Sequence, residues 1–97
     1  MPTYIALSSF TEQGIRNVND TTKRSETVMA LGKKVGATLT QVYWTLGRYD
    51  VVAIIEAPND ETATAFSLAI GAAGNVRTET MRAFSKEEMG AILGKLG

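Results

Sequence analysis

The chain contains no cysteine and no histidine. Without thiols there is no disulfide, no thiolate nucleophile and no sulfur-rich metal site. Without imidazole there is no histidine general base, and no side chain with an ordinary pKa near neutrality. A hard metal held by carboxylates alone stays open, but no acidic cluster calls for one, and no cofactor is expected. Net charge is also absent: ten basic side chains balance ten acidic ones. A general nucleic-acid or membrane-surface binder needs a clear positive excess, so neither partner is expected. No apolar run approaches the roughly 20 residues of a membrane-spanning helix. The N-terminus lacks a basic segment followed by an apolar core, so no signal peptide is expected. Together with the missing cysteines, this fits a cytoplasmic location.

What is present suits one small domain spanning residues 1–97. A chain of this size buries only about 60–65% of its unfolded surface, so its core is modest.

Thr3–Phe10 (TYIALSSF) reads as a first strand. Its consecutive Tyr4, Ile5, Ala6 and Leu7 imply burial on both faces, the mark of a central strand. Thr11 is suited to cap a short helical turn, and Gly14 weakens any longer helix there. The first main helix is expected from Asp20–Thr22 to Val35, with Asp20 as N-cap and Val28, Leu31 and Val35 as its apolar stripe. Gly32 on the stripe's edge would let this helix approach the sheet closely, and Gly36 fits a C-terminal cap.

Thr38–Leu46 (TLTQVYWTL) is rich in strand-forming residues. Strict alternation would set Leu39, Gln41, Tyr43 and Thr45 on one face, and Thr40, Val42, Trp44 and Leu46 on the other. Polar residues on both faces suit an edge strand. Gly47-Arg48-Tyr49-Asp50 reads as a hairpin turn. Val51–Ala57 (VVAIIEA) follows as a second central strand, apolar on both faces until Glu56.

Pro58 ends that strand. Asn59 or Asp60 caps a second main helix, whose stripe is Ala63, Phe66, Ile70 and Ala73 and whose end is Gly74. Asn75–Phe84 (NVRTETMRAF) is the fourth strand. Ser85 with Glu88 forms a capping box before a short tail helix carrying Met89, Ile92, Leu93 and Leu96.

The order βαββαβ plus a helix predicts an α+β, ferredoxin-like fold: a four-stranded antiparallel sheet with both main helices on one face and an extra C-terminal helix. The first and third strands then lie in the middle. Because helices cover one face only, the opposite face needs cover; Tyr4, Ala6 and third-strand residues are placed there. An exposed apolar patch of that size marks an interaction surface. A second copy, packed sheet to sheet about a two-fold axis, is the economical answer, giving a homodimer or higher homo-oligomer of the dimeric α/β-barrel type. The tail helix is the competing cover.

Several features in their order resemble the GYD family of small proteins. They are Thr11 and Gly14, Arg24, Tyr43 through Asp50, Glu56-Ala57-Pro58-Asn59-Asp60, Gly74 through Thr80, and Ala83-Phe84. The Gly-x-Tyr-Asp pattern is kept as Gly47, Tyr49 and Asp50. The resemblance implies a ferredoxin-like fold of the dimeric α/β-barrel type. It implies no reaction, cofactor or catalytic residue.

Candidate ligand-binding residues are Tyr43, Trp44, Tyr49, Asp50, Thr78, Thr80 and Arg82. Asp50 either sits as a carboxylate at a pocket mouth or bonds backbone N–H groups in its turn. Gly47 supplies a positive φ or a bulge. Tyr49 serves as a hydrogen-bond donor or packs its ring. Tyr43 and Trp44 are neighbours on a strand and face opposite ways, so one of them offers a wall for a flat ligand or an anchor for a partner. Thr78, Thr80 and Arg82 share a face of the fourth strand. If Met81 and Ala83 turn to the helices, the threonines and Arg82 look into the open side. Arg24 and Arg77 either bind an anion, pair with Glu26, Glu79 or Asp50, or, for Arg24, tie down the loop after the first strand.

Three functions fit these features. The first is a homo-oligomeric small-molecule-binding or regulatory module, which is the reading preferred on sequence. The second is a cofactor-independent enzyme of oxygenase or isomerase type acting on a small apolar or aromatic molecule. Its base would be Asp50 or Glu56 and its acid Tyr49 or Tyr43. The third, RNA binding on the sheet, is disfavoured by neutral charge and by the absence of a basic aromatic motif in Val51–Ala57.

Overall fold

A computed structural model describes all 97 residues. The elements are β1 (Thr3–Phe10), α1 (Glu12–Arg16), a 3-10 turn (Val18–Asp20), α2 (Thr21–Val35), β2 (Thr38–Trp44), β3 (Val51–Glu56), α3 (Asp60–Ala72), β4 (Val76–Ala83), α4 (Lys86–Leu93) and a closing 3-10 turn (Gly94–Leu96). The strands form one antiparallel sheet in the order β2-β3-β1-β4. This is the ferredoxin-like arrangement, with the two doubly apolar strands in the centre. The extents, 52 × 31 × 17 Å, describe a slab with one layer of sheet and one of helices.

Local chemistry explains the boundaries. Thr11 accepts from the Gly14 N–H and starts α1. Asn59 accepts from the Thr62 N–H and starts α3. Ser85 and Glu88 bond reciprocally at the start of α4. Asp20 makes no side-chain bond at the start of α2, because the preceding 3-10 turn runs straight into that helix.

The core lies between the sheet and the helices. Phe66, fully buried, and Ala63 on α3 meet Tyr4, Ala6, Leu39 and Ile55 from the strands, with Val28 and Leu31 of α2 packed against them. Burying a side chain such as Phe66 stabilises the fold by about 1.5–3 kcal/mol. A Cβ at Gly32 would lie 3.0 Å from the Phe66 ring and from the Ala37 carbonyl. Gly32 therefore lets α2 close on α3, rather than on the sheet as expected.

Facing also departs from expectation in two places. Tyr4 and Ala6 point toward the helices and are buried, not toward the open side. In β2 the register shifts between Leu39 and Gln41, so Thr40 is an extra residue. Such a bulge moves every later side chain to the other face. Leu39, Val42 and Trp44 consequently share the helix-facing side, while Gln41 and Tyr43 look outward. The strand also stops at Trp44, two residues before Leu46.

The open face carries Ile5, Leu7, Val52, Ile54, Met81 and Tyr43. No helix covers it. The tail helix leaves it bare: α4 stands off the sheet, tethered by the Arg82–Glu88 ion pair, with Met89, Leu93 and Leu96 exposed.

Candidate functional site

Small side chains on the helix-facing side of the sheet leave room. Ala6 stands between Ala53 and Thr80, and Ser8 between Val51 and Thr78. Neither row holds a Leu, Ile or Phe to reach the helices. The result is a cavity of about 190 Å³ between the sheet and the facing surfaces of α2 and α3. Its floor is Ala6, Ala53, Val51 and Ile55; Val28 and Ile70 form its roof. Trp44 closes one side, its indole N–H donating to the Thr21 hydroxyl at 2.9 Å. Ser8 and Thr78 share a hydroxyl–hydroxyl bond of 3.0 Å at its wall, so the buried Ser8 is satisfied.

The rim is built by an interlock of loops. Thr11 N–H donates to the Asn75 carbonyl at 3.1 Å, and the Thr11 hydroxyl donates to the Gly74 carbonyl at 2.5 Å. Gln13 reaches the Ala73 carbonyl and the Asn75 side chain. A Cβ on Gly14 would stand 1.9 Å from the Asn75 carbonyl oxygen, so only glycine permits this approach. Arg24 donates to the Asn17 carbonyl at 2.7 Å and to the Gly14 carbonyl at 3.3 Å, tying the loop after β1 to α2. It is the one charged residue lining the cavity.

A second, more open and more polar groove runs between α3 and β4. In it the Tyr4 hydroxyl donates to Asp60 Oδ1 at 2.5 Å, and Ser67 bonds Thr80 at 2.8 Å. The bond to Asp60 pushes the Tyr4 phenol above its ordinary value of 10.0, with burial and the nearby carboxylate charge acting the same way. Arg82 donates to the Thr3 and Ala83 carbonyls and to Glu88. Its guanidinium lies 4.5 Å from the Phe84 ring centroid and 5.7 Å from that of Tyr4.

The candidate residues thus divide among three places. Trp44 and Thr78 line the cavity. Thr78, Thr80 and Arg82 line the groove, on the helix-facing side. They do not face the open side, because the register opposite Tyr4, Ala6 and Ser8 sends Met81 and Ala83 outward instead. Tyr43 and Tyr49 belong to the open face. Tyr49 reaches Glu79 of β4 with its hydroxyl at 3.1 Å, and Arg48 lies over its ring.

Asp50 bonds backbone. Its carboxylate accepts the Phe10 N–H at 2.9 Å, and its own N–H donates to the Ser8 carbonyl at 2.9 Å, pinning the hairpin to the end of β1. Gly47 has φ 119°, the left-handed region the turn demands. Asp50 and Glu56 stand at opposite ends of β3, about 20 Å apart along the strand, so they form no carboxylate pair. No three acidic side chains gather into a set able to hold a metal. Arg77 joins neither ion pair; these are Arg16–Glu12 and Arg82–Glu88.

Sequence patterns gave no sign of the Tyr4–Asp60 bond, the Ser8–Thr78 bond or the Gly14–Asn75 contact. Each links residues more than 50 positions apart, and only Gly14 left a trace, as a glycine inside a helical turn.

These features describe a small ferredoxin-like α+β module with an apolar pocket under its helices and a bare apolar sheet face. Residues 4–93 match the GYD domain, and the chain belongs to that family. Over 94 residues it is 31% identical to the glutamine synthetase and cystathionine beta-lyase binding protein of Thermus thermophilus, covering 96% of this chain and 99% of the relative. The fold is also that of the crystal structure of FFRP-DM1, with a TM-score of 0.62 and 21% identity over 87% of this chain and 100% of that one. TTHA0845 from Thermus thermophilus is similar, with a TM-score of 0.58 and 23% identity over 88% of this chain and 95% of the other.

Proposed function

We propose that this chain is a binding and regulatory module that works as a homo-oligomer, at least a dimer, built through the open face of its sheet. The observation that carries this reading is the face itself. Ile5, Leu7, Val52 and Ile54 on the two central strands, with Tyr43 and Met81 beside them, form an apolar surface that no element of the chain covers. Monomers rarely leave such a surface in water. Tyr43, 54% exposed, is an aromatic of the kind that anchors interfaces. The exposed apolar side of α4 adds an arm suited to embrace a second copy.

Binding, rather than turnover, is supported by the placement of the acid–base candidates. The Asp50 carboxylate is engaged by backbone and Tyr49 by Glu79, while Glu56 lies at the far end of the sheet. The Thermus relative, named for binding two enzymes, supports the same type of action, docking to other proteins. Those two enzymes belong to the relative's name and are not proposed for this chain.

Sedimentation at micromolar concentration tests the assembly. The wild-type chain is expected to run as a dimer or larger. Ile54→Asp, which places a charge at the centre of the face, should weaken association by about 2–4 kcal/mol and release folded monomers. A folded wild-type monomer at that concentration overturns the reading.

A further inference from the structure

We propose that the cavity between the sheet and α2/α3 is a ligand site for a small aromatic monocarboxylate, bound within each protomer. This deepens the binding-module reading with a site on the other side of the sheet from the assembly face, so either can fail without the other.

Size argues first. An apolar cavity of about 150 Å³ accepts a benzene ring, and this one measures about 190 Å³. One six-membered ring with a short substituent fills it. Shape argues next. The floor of Ala6 and Ala53 is flat because neither side chain rises from the sheet, and Trp44 stands as an aromatic wall beside it. Ring faces stack or pack edge-on against an indole in such a setting.

Charge selects the substituent. Of the residues lining the cavity, Arg24 alone is charged, and no Asp or Glu is among them. Arg24 joins neither ion pair of the chain; its two bonds go to neutral carbonyls. A guanidinium has five donors, so N–H groups remain for a carboxylate. The Thr21 hydroxyl, which accepts from Trp44 and keeps its own proton, and the Asn75 amide N–H share that rim and supply further neutral donors. An amine would meet the positive charge with nothing to balance it. A dianion would exceed the single charge on offer.

The packing supports a built pocket. A core meant to be solid would place large apolar residues at Ala6, Ser8, Ala53 and Thr78. The chain puts those at the outward positions Ile5, Leu7 and Ile54 instead. The interlock of Gly14 with Asn75 holds the rim open at a set distance, with Arg24 bonded to the same loop.

The test uses the chain's single tryptophan, which lines the site. Phenylacetate titrated into the full-length protein, with Trp44 emission excited selectively, is expected to give a saturable change. Benzyl alcohol, which keeps the ring and drops the charge, should bind at least about tenfold more weakly, as expected for loss of a charge-assisted hydrogen bond. Ala73→Trp, at the exposed mouth, should abolish phenylacetate binding, read by calorimetry, without altering the thermal midpoint. Ala53→Leu, filling the floor, should abolish it too, read by calorimetry as well as emission. No saturable binding of phenylacetate to the folded wild type overturns the proposal. So does equal affinity for the alcohol, or binding that survives Ala73→Trp and Ala53→Leu. Sedimentation of the same samples reports on the assembly face separately.

Discussion

The two faces of this sheet are made from the same two central strands, yet they invert the usual distribution of bulk. The covered face holds Ala6, Ser8 and Ala53 over the middle of the sheet, with Thr78 of the edge strand β4 beside them. The bare face holds Ile5, Leu7, Val52 and Ile54. In a self-sufficient two-layer domain, large branched side chains fill the space under the helices, because packing density there matches that of organic crystals. Here the helices rest on the rows at Tyr4, Leu39 and Ile55 with Phe66, and a cavity opens beyond them. The chain thus keeps its closest packing at one end of the covered face and leaves Ile5, Leu7, Val52 and Ile54 of the central strands outside.

Phe66→Ala disrupts the covered face most severely. Truncating a fully buried phenylalanine costs about 3–5 kcal/mol, so denaturant unfolding should show a large loss of stability. A loss below about 1 kcal/mol would mean that the core is elsewhere. Ile54→Asp is the counterpart on the bare face, where association should fall and the fold of each protomer should persist.

Gly14→Ala is expected to cost about 1–3 kcal/mol or more, since the added methyl meets the Asn75 carbonyl and the backbone must give way. Hydrogen exchange should locate the loosening at residues 11–16 and 73–76. Full protection there would contradict the interlock.

Two pH effects separate the buried part of the molecule from the protruding one. The raised Tyr4 pKa belongs to the folded state, so its stabilising contribution is complete below pH 10.0 and is lost as pH rises through the folded value. The phenolate absorbance developed at high pH should lose the contribution of one of the three tyrosines in Tyr4→Phe. Glu88 behaves oppositely. The Ser85 backbone N–H holds its carboxylate below the ordinary 4.5, helped by the Ser85 hydroxyl and Arg82. Its contribution is present above pH 4.5 and is lost as pH falls through the folded value, where α4 should lose helical signal in circular dichroism. Ser85→Ala removes about 1 kcal/mol of helix capping at neutral pH.

Much of the fold was legible because it is written in short-range patterns. Tyr4–Leu7 and Val51–Ile55 are continuous apolar runs, which mark central strands. Asn59, Ser85 and Thr11 are capping residues beside the helices they start. The candidate side chains were not brought together as one arrangement: of the seven, Trp44 and Thr78 meet at the cavity and the others lie in the groove, on the open face or in the hairpin. One bulged residue, Thr40, moved Trp44 to the same side as Leu39 and left Tyr43 outside. Alternation alone cannot place a bulge, since the extra residue is stabilised by its neighbours: the Thr40 hydroxyl bonds the Ile54 carbonyl across the ladder. The facing of Thr78, Thr80 and Arg82 followed from pairing with Tyr4, Ala6 and Ser8, a partnership between the two ends of the chain.

Element order, central strands, helix caps, the lack of thiol and imidazole chemistry and the resemblance to the GYD family are all carried by the linear chain. Hydrophobic period, capping and turn chemistry act within a few residues, so a string of letters holds them. The sides of the sheet, the interlock of Gly14 with Asn75 and the room left over Ala6 and Ala53 arise only on folding. Those depend on contacts between residues far apart in the chain, where one register step or one missing methyl sets what faces what.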